Sequence, residues 1–151
     1  MEESNHLMTE NPNIPKYISQ SCPAPVGFAP IPSLRVIAMP KDTNNYGTVF
    51  GGVILSYLDQ AGYVEARKYG NHRWVTVSVD EVIFHAPVHV GDTVSFYTKT
   101  VRTGTTSVTV DVLVVADRFD SGNCVEVTEA TMTFVAVDDK GLPTPFTGRD
   151  G

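Results

Sequence analysis

The sequence predicts an α+β domain in which one long central helix is wrapped by a curved five-strand antiparallel sheet. Three observations lead there. A single stretch, from about residue 51 to residue 69, carries apolar and small residues at helical spacing without a proline. Every segment after Gly70 alternates in the manner of a strand. One short strand precedes the helix, so the order is strand, helix, then four strands. One helix cannot cover both faces of such a sheet. A curved antiparallel sheet can wrap it, and the surplus apolar surface is expected to be buried by dimerisation.

The elements follow in order. Residues 1–32 hold six of the ten prolines (Pro12, Pro15, Pro23, Pro25, Pro30 and Pro32) and irregular apolar spacing, which reads as an extended or disordered tail. Residues 33–151 form the single domain. Ser33 to Met39 is a short strand ended by Pro40, and Asp42, Asn44, Asn45 and Gly47 are turn formers. In the helix, Ile54, Leu58 and Ala61 make one apolar row and Leu55, Gly62 and Ala66 a second, with Asp59 stacked on the second. Glu65, Arg67 and Lys68 make its end polar and cationic, and Gly70-Asn71 stops it.

The strands carry their own alternation. From Trp74 to Phe84, Val75, Val77, Val79 and Ile83 point one way, and Thr76, Ser78 and Asp80 the other. Pro87 and Gly91-Asp92 make a connection to a strand from Thr93 to Val101. Arg102 to Thr106 is a turn, and Ser107 to Val115 aligns Val108, Val110, Val112 and Val114. After a polar loop with Gly122, Val125 to Val137 sets Val125, Val127, Val135 and Val137 on one face. Ala130, Met132, Phe134 and Ala136 take the other. The sheet face away from the helix is expected to hold Phe96 or Tyr97, Leu113 and Met132.

Composition excludes several functions. A chain of 151 residues with 42% hydrophobic and 19% charged residues fits one globular domain. A net charge of −6 argues against a general nucleic-acid or anionic-membrane binder. No apolar run approaches a membrane span, and Met1 to His6 lacks a secretory pattern, so the expected location is cytoplasmic. Cys22 and Cys124 read as two free thiols in a reducing compartment. His85 and His89 flank Pro87, which breaks any helix that would align them, and no acidic or cysteine cluster completes a shell, so no metal is expected. No Gly-x-Ser-x-Gly elbow occurs, which goes against a Ser-His-Asp hydrolase.

Several strings then occur in one order: Ala38-Met39-Pro40-Lys41-Asp42-Thr43-Asn44, Phe50-Gly51-Gly52, Leu58-Asp59, Val75-Thr76-Val77, Phe84, Pro87 and Val90-Gly91-Asp92. Thr103-Gly104-Thr105-Thr106-Ser107 and Phe134-Val135-Ala136-Val137-Asp138 complete the set. Together, over roughly residues 34–139, the chain resembles the acyl-CoA thioesterases of the YciA and brain acyl-CoA hydrolase type, which have the hot-dog fold. The resemblance implies hydrolysis of acyl-CoA to free fatty acid and coenzyme A. It implies no cofactor beyond the coenzyme A of the substrate. It also implies a homo-oligomer, a dimer at minimum, with a trimer of dimers as the assembly the family suggests, and with Asn44 and Asp59 meeting from opposite subunits.

The residues have the chemistry such a reaction asks for. Gly51 and Gly52 place side-chain-free amides at a helix start, where unpaired N–H groups polarise a carbonyl; the plainer reading is that they turn the chain. Asp59, on an apolar stripe, is expected to be partly desolvated and basic, as general base or nucleophile. Asn44 is able to hold water or carbonyl, or simply to shape the loop. Arg102 with Thr103, Gly104, Thr105, Thr106 and Ser107 suits the coenzyme's phosphates, with Lys99 and Arg73 as weaker candidates. Phe84 is a candidate wall of an acyl pocket, or plain core. Two other functions stand beside hydrolysis. One is a non-catalytic acyl-CoA-binding regulatory module. The other is a hot-dog hydratase or dehydratase, which needs a His paired with an acid in the site, whereas these histidines lie outside the loop-helix motif.

Overall fold

A computed structural model describes residues 22–146; the expectations for residues 1–21 and 147–151 lie outside the described residues. The elements are β1 (Leu34–Ile37), α1 (Gly51–Ala66), β2 (Arg73–Phe84), β3 (Thr93–Thr103), β4 (Ser107–Asp117) and β5 (Cys124–Val137). Short 3-10 turns occupy Pro40–Asp42 and Arg67–Tyr69. The strands form one antiparallel sheet in the order β1-β3-β4-β5-β2, and α1 lies against all five. The predicted architecture is the observed one.

The core sits between α1 and the concave face. Val108, Val110, Val112 and Val114 of β4 are all buried, as their alternation predicts. The helix buries Ile54, Leu58, Ala61, Gly62, Glu65 and Ala66 as one stripe. Leu55 leaves the second predicted row and is exposed. Gly62 is where helix and sheet come closest: a Cβ there would lie 2.7 Å from Cε2 of Phe134.

Two sets of bulges correct the predicted strand faces. In β2 the register against β5 shifts between Thr76 and Ser78 and again between Val79 and Glu81. Each extra residue reverses the alternation. Val79, opposite Met132, therefore shares the face of Trp74 and Val82 instead of that of Val75 and Ile83, and Val77 is the unpaired residue of the first bulge. Val77 and Val79 are 55% and 43% exposed, while Trp74 and Val82 pack on the core. In β5 a shift opposite Val114 and Val115 brings Val125 and Val127 into the same core cluster as Ala130, Met132, Phe134 and Ala136. Met132 thus faces the helix. On β3 Phe96 is the core residue, and Tyr97, also buried, belongs to the outer face.

The free-thiol reading is also corrected. Cys22 and Cys124 form a disulfide, with Cα atoms 5.6 Å apart. The 22–33 segment runs back across the outer face of the sheet. Lys99 Nζ lies 4.7 Å from the centre of the Phe28 ring, and Ser33 N–H donates to the Phe96 carbonyl at 2.9 Å. Sequence separation alone carried no sign of this return path. The bond spans 102 residues, so Cys124→Ser or reduction is expected to lower unfolding stability by about 2–4 kcal/mol. Denaturant titration with and without reductant checks this. Alkylation of both cysteines only after reduction is the accompanying outcome.

Candidate active site

The loop before α1 is shaped by Asn44. Its Oδ1 accepts from the backbone N–H of Tyr46 at 2.9 Å and of Thr48 at 3.2 Å, and its Nδ2 donates to Thr48 Oγ1 at 2.9 Å. Asn44 is therefore a turn former in the single chain, with one Nδ2 hydrogen left over. Gly47 supplies the positive φ of 82° that the loop needs. The helix then starts at Gly51 behind Phe50, with no side-chain cap. The first intrahelical bonds are Val53 and Ile54 N–H to the Phe50 carbonyl, at 3.0 and 3.4 Å. Among the described residues nothing accepts from the N–H groups of Gly51 and Gly52. Every helix start leaves such N–H groups without intrahelical partners, and here they are open to an anion or oxyanion as well as compatible with a plain chain turn.

Gly51 borders a cleft of about 330 Å³ lined also by Val49, Ile54, Phe84, Pro87 and Thr128 among others. Phe84 is 51% exposed and its ring lies against the helix start, with Cζ 3.3 Å from where a Gly51 Cβ would sit. Phe84 is thus a wall of the cleft, not interior core.

Asp59 departs from expectation. It is exposed, and the desolvation expected from its apolar stripe is not present in the single chain. The reason is angular: the buried stripe runs through Ile54, Leu58, Ala61, Gly62 and Glu65, and Asp59 lies beside it with Leu55. Its Oδ1 accepts a short hydrogen bond from the Thr76 hydroxyl of β2. A cleft of about 510 Å³ opens next to it, walled by Tyr63, Val64, Trp74 and Phe134. Sequence reasoning missed Thr76. Its signal was the neighbouring Asp59 face of the helix, which only the docking of α1 on β2 reveals.

The buried acid of α1 is Glu65. It accepts from Lys68 Nζ at 2.8 Å, Thr98 Oγ1 at 2.9 Å and Thr100 Oγ1 at 3.1 Å. Burial alone would raise its pKa. The Lys68 hydrogen bond, the Thr98 hydroxyl, the Lys68 charge and the Thr100 hydroxyl together outweigh burial and hold it below its ordinary value of 4.5. Helical spacing offered a sign of this, since Glu65 follows Ala61 by four and Leu58 by seven.

The remaining candidates are spread out. The turn from Arg102 to Ser107 joins β3 to β4, with Gly104 N–H donating to the Ser107 carbonyl at 2.8 Å. Arg102, Thr103, Gly104 and Thr105 are exposed, and Thr106 and Ser107 partly so. Ser107 pairs with Val135, and Val135 with Val75, so this turn sits at the end where β2 begins. Phe84 and Gly51 mark the opposite end. One chain therefore does not bring Arg102 to the free amides. Arg73 is exposed at the start of β2, and Lys99 lies under Phe28 on the outer face. His85 Nε2 is 3.6 Å from Glu129 Oε1, while His89 donates its backbone N–H to Asp92. No group of three or more His, Cys, Asp or Glu side chains suited to a metal ion occurs among the described residues. Nor is any described helix long and apolar enough to cross a membrane.

Asp59 lies about two turns beyond Gly52, some 10 Å along the axis. One helix cannot aim both at the same atom; two helices from different chains can.

A model of the thioesterase superfamily matches residues 46–118. The acyl-CoA thioester hydrolase YciA of Salmonella typhimurium is 41% identical over 116 residues, which cover 75% of this chain and 87% of that protein. The chain belongs to this acyl-CoA thioester hydrolase family. Among solved structures similar to this hydrolase is a hexameric hotdog fold thioesterase of Campylobacter jejuni. It has a TM-score of 0.73 and 46% identity over 76% of this chain and 89% of that one. An acyl-CoA hydrolase from Staphylococcus aureus, solved in complex with butyryl coenzyme A, coenzyme A and coenzyme A disulfide, gives 0.68 at 30% identity, over 74% and 68% respectively. The hydrolase has the hot-dog fold.

The Glu65 arrangement makes a stability prediction for the hydrolase. A carboxyl whose pKa is lowered by folding contributes stability that is full above its unfolded pKa. That contribution is lost as pH falls through the lower folded value. Acid unfolding should therefore steepen below about pH 4.5. Glu65→Gln should remove that component and cost about 1–3 kcal/mol at neutral pH, as read by urea titration across pH.

Proposed function

We propose that this chain hydrolyses the thioester of acyl-CoA to a free fatty acid and coenzyme A, and that it does so as a homodimer or a larger assembly of such dimers. The observation that carries the reading is the division of groups along α1. Two unengaged amides lie at its start, where Gly51 borders one cleft, and a carboxylate held by Thr76 opens on another two turns later. The edge strand β2 supports an association of chains, because Val77, Val79 and Ile83 are exposed there and Tyr63 and Val64 of α1 are exposed as well. Covering that surface would also desolvate Asp59, as the sequence reading requires. The C. jejuni relative is itself described as hexameric.

In this reading the amides of Gly51 and Gly52 in one subunit hold the carbonyl oxygen as it becomes an oxyanion. One such donor is worth about 2.7–4 kcal/mol of barrier in studied hydrolases. Asp59 of the other subunit acts in one of two ways. As general base it takes a proton from water, whose oxygen adds to the carbonyl carbon; the C–S bond then breaks and the coenzyme thiolate is protonated. As nucleophile its carboxylate forms an anhydride with the acyl group as the thiolate leaves, and water then cleaves the anhydride. The spare Nδ2 hydrogen of Asn44 binds the water or the carbonyl. Phe84 lines the acyl cleft, and the turn from Arg102 through Thr103, Gly104, Thr105 and Thr106 to Ser107 takes the coenzyme's phosphates. Carboxylate, amides and water suffice for the reaction, so we assign no cofactor.

One observation favours a second reading, hydration of an enoyl-CoA. His85 borders the Gly51 cleft and pairs with Glu129, which is a His and an acid together. Membership of the thioester hydrolase family weighs against it. An assay of thiol release from acyl-CoA, run beside enoyl-CoA absorbance, separates the two. Asp59→Ala is expected to lower thiol release by a hundredfold or more, on the order expected for loss of a general base, with its thermal midpoint retained. Normal turnover by that variant would sink the assignment. Acyl-CoA binding by calorimetry without thiol release from the unmutated chain would favour a binding module.

A further inference from the structure

The turn before β3 holds a buried carboxylate that the proposed reaction does not use. Asp92 is 2% exposed. Its Oδ2 accepts from Arg118 Nη1 at 2.6 Å and from the His89 N–H at 2.9 Å, and its Oδ1 accepts from the Phe119 N–H at 3.3 Å. Arg118 is itself largely buried. The pair fastens the 88–92 turn to the loop between β4 and β5. Asp92 N–H also closes that turn on the His89 carbonyl at 3.1 Å.

Both ends of the active-site loop rest on this turn. At the entry, Ala38 N–H donates to the Asp92 carbonyl at 3.0 Å and Gly91 N–H to the Ala38 carbonyl at 2.9 Å. At the exit, Thr48 bridges to His89, and Val49 N–H donates to the Val88 carbonyl at 2.8 Å. Asn44 lies between those two attachments, and Gly51 follows immediately. The 88–92 turn is therefore the platform that sets where Asn44 and the free amides sit.

We propose that Asp92 and Arg118 are positioning residues for thioester hydrolysis, acting through the 88–92 turn on Asn44 and on the Gly51 and Gly52 amides. The proposal rests on the site reading given above. A buried ion pair is a poor source of stability compared with apolar packing, but its directional hydrogen bonds fix a loop's position. Oxyanion donors depend on that position, since misplacement by about 1 Å costs on the order of a hundredfold in rate.

Asp92→Asn keeps the shape while removing the charge and turning a donor towards Arg118 or the His89 N–H. Arg118→Gln tests the other partner. Thiol release from an acyl-CoA gives kcat and KM for each variant, alone and in an Asn44→Ala background, with thermal midpoints measured alongside. Either variant is expected to lower kcat by about tenfold to a hundredfold with KM little changed. That loss should shrink in the Asn44→Ala background, because residues acting through one loop are not additive. Glu65→Gln is the comparator: it should lower the midpoint while leaving kcat within about twofold, a change far below that expected of misplaced donors. Should Asp92→Asn fail to fold, Arg118→Gln decides by the same readouts. Unchanged kcat with a lowered midpoint overturns the proposal, and so does a kcat loss of equal size in both backgrounds. Normal turnover by Asn44→Ala alone is a separate result that overturns the site reading itself.

Discussion

The one α-helix among the described residues must be buried against a single sheet while its first turn stays uncovered. The curl of the sheet meets the first requirement, bringing all five strands against α1. The second follows from Phe50, Gly51 and Gly52. Phe50 offers no capping side chain, and the glycines add no bulk, so two N–H groups remain at the surface with the partial positive charge of the helix start. A Ser or Asp in place of Phe50 would cap the helix by accepting from the N–H of Gly52 or Val53. The same local arrangement thus costs the helix some stability and leaves donors exposed at its start.

The two acids of α1 show how position on a helix divides labour. Glu65 falls within the buried stripe, where three donors compensate its charge and two of them, the Thr98 and Thr100 hydroxyls, tie the helix to β3. Asp59 falls just outside that stripe, keeps one oxygen on Thr76 and leaves the other open to a cleft. A carboxylate saturated with partners is a structural clamp. A carboxylate held at one oxygen and free at the other is equipped for chemistry. Apolar neighbours at the edge of α1 and along β2 suit the burial of Asp59 by a second chain.

Bulges mark the limit of pattern reading. The valines of β4 alternate without interruption and lie where their spacing places them. β2 contains two inserted residues and β5 one, and each reverses inside and outside part-way along. An alternating string of Val, Thr and Ser contains no local sign of that insertion, because either parity satisfies β-propensity equally. Val77 in the first bulge and Val79 beyond it stay exposed on this edge strand and give it an apolar surface. The Cys22–Cys124 bond lay equally beyond local reading, since it depends on the route of the 22–33 segment over the sheet.

The sequence by itself determined the element order, the single helix, the glycine pair at its start and the string of motifs that marks the thioester hydrolase family. These are local or periodic properties, carried by residue type and spacing. Only the tertiary structure decided which acid is buried, that Thr76 holds Asp59, that Asn44 shapes its own loop, that Phe84 walls a cleft and that Asp92 with Arg118 underlies the loop. Each of these depends on how far one element is rotated or slipped against another. Packing sets those offsets, and no residue encodes them alone.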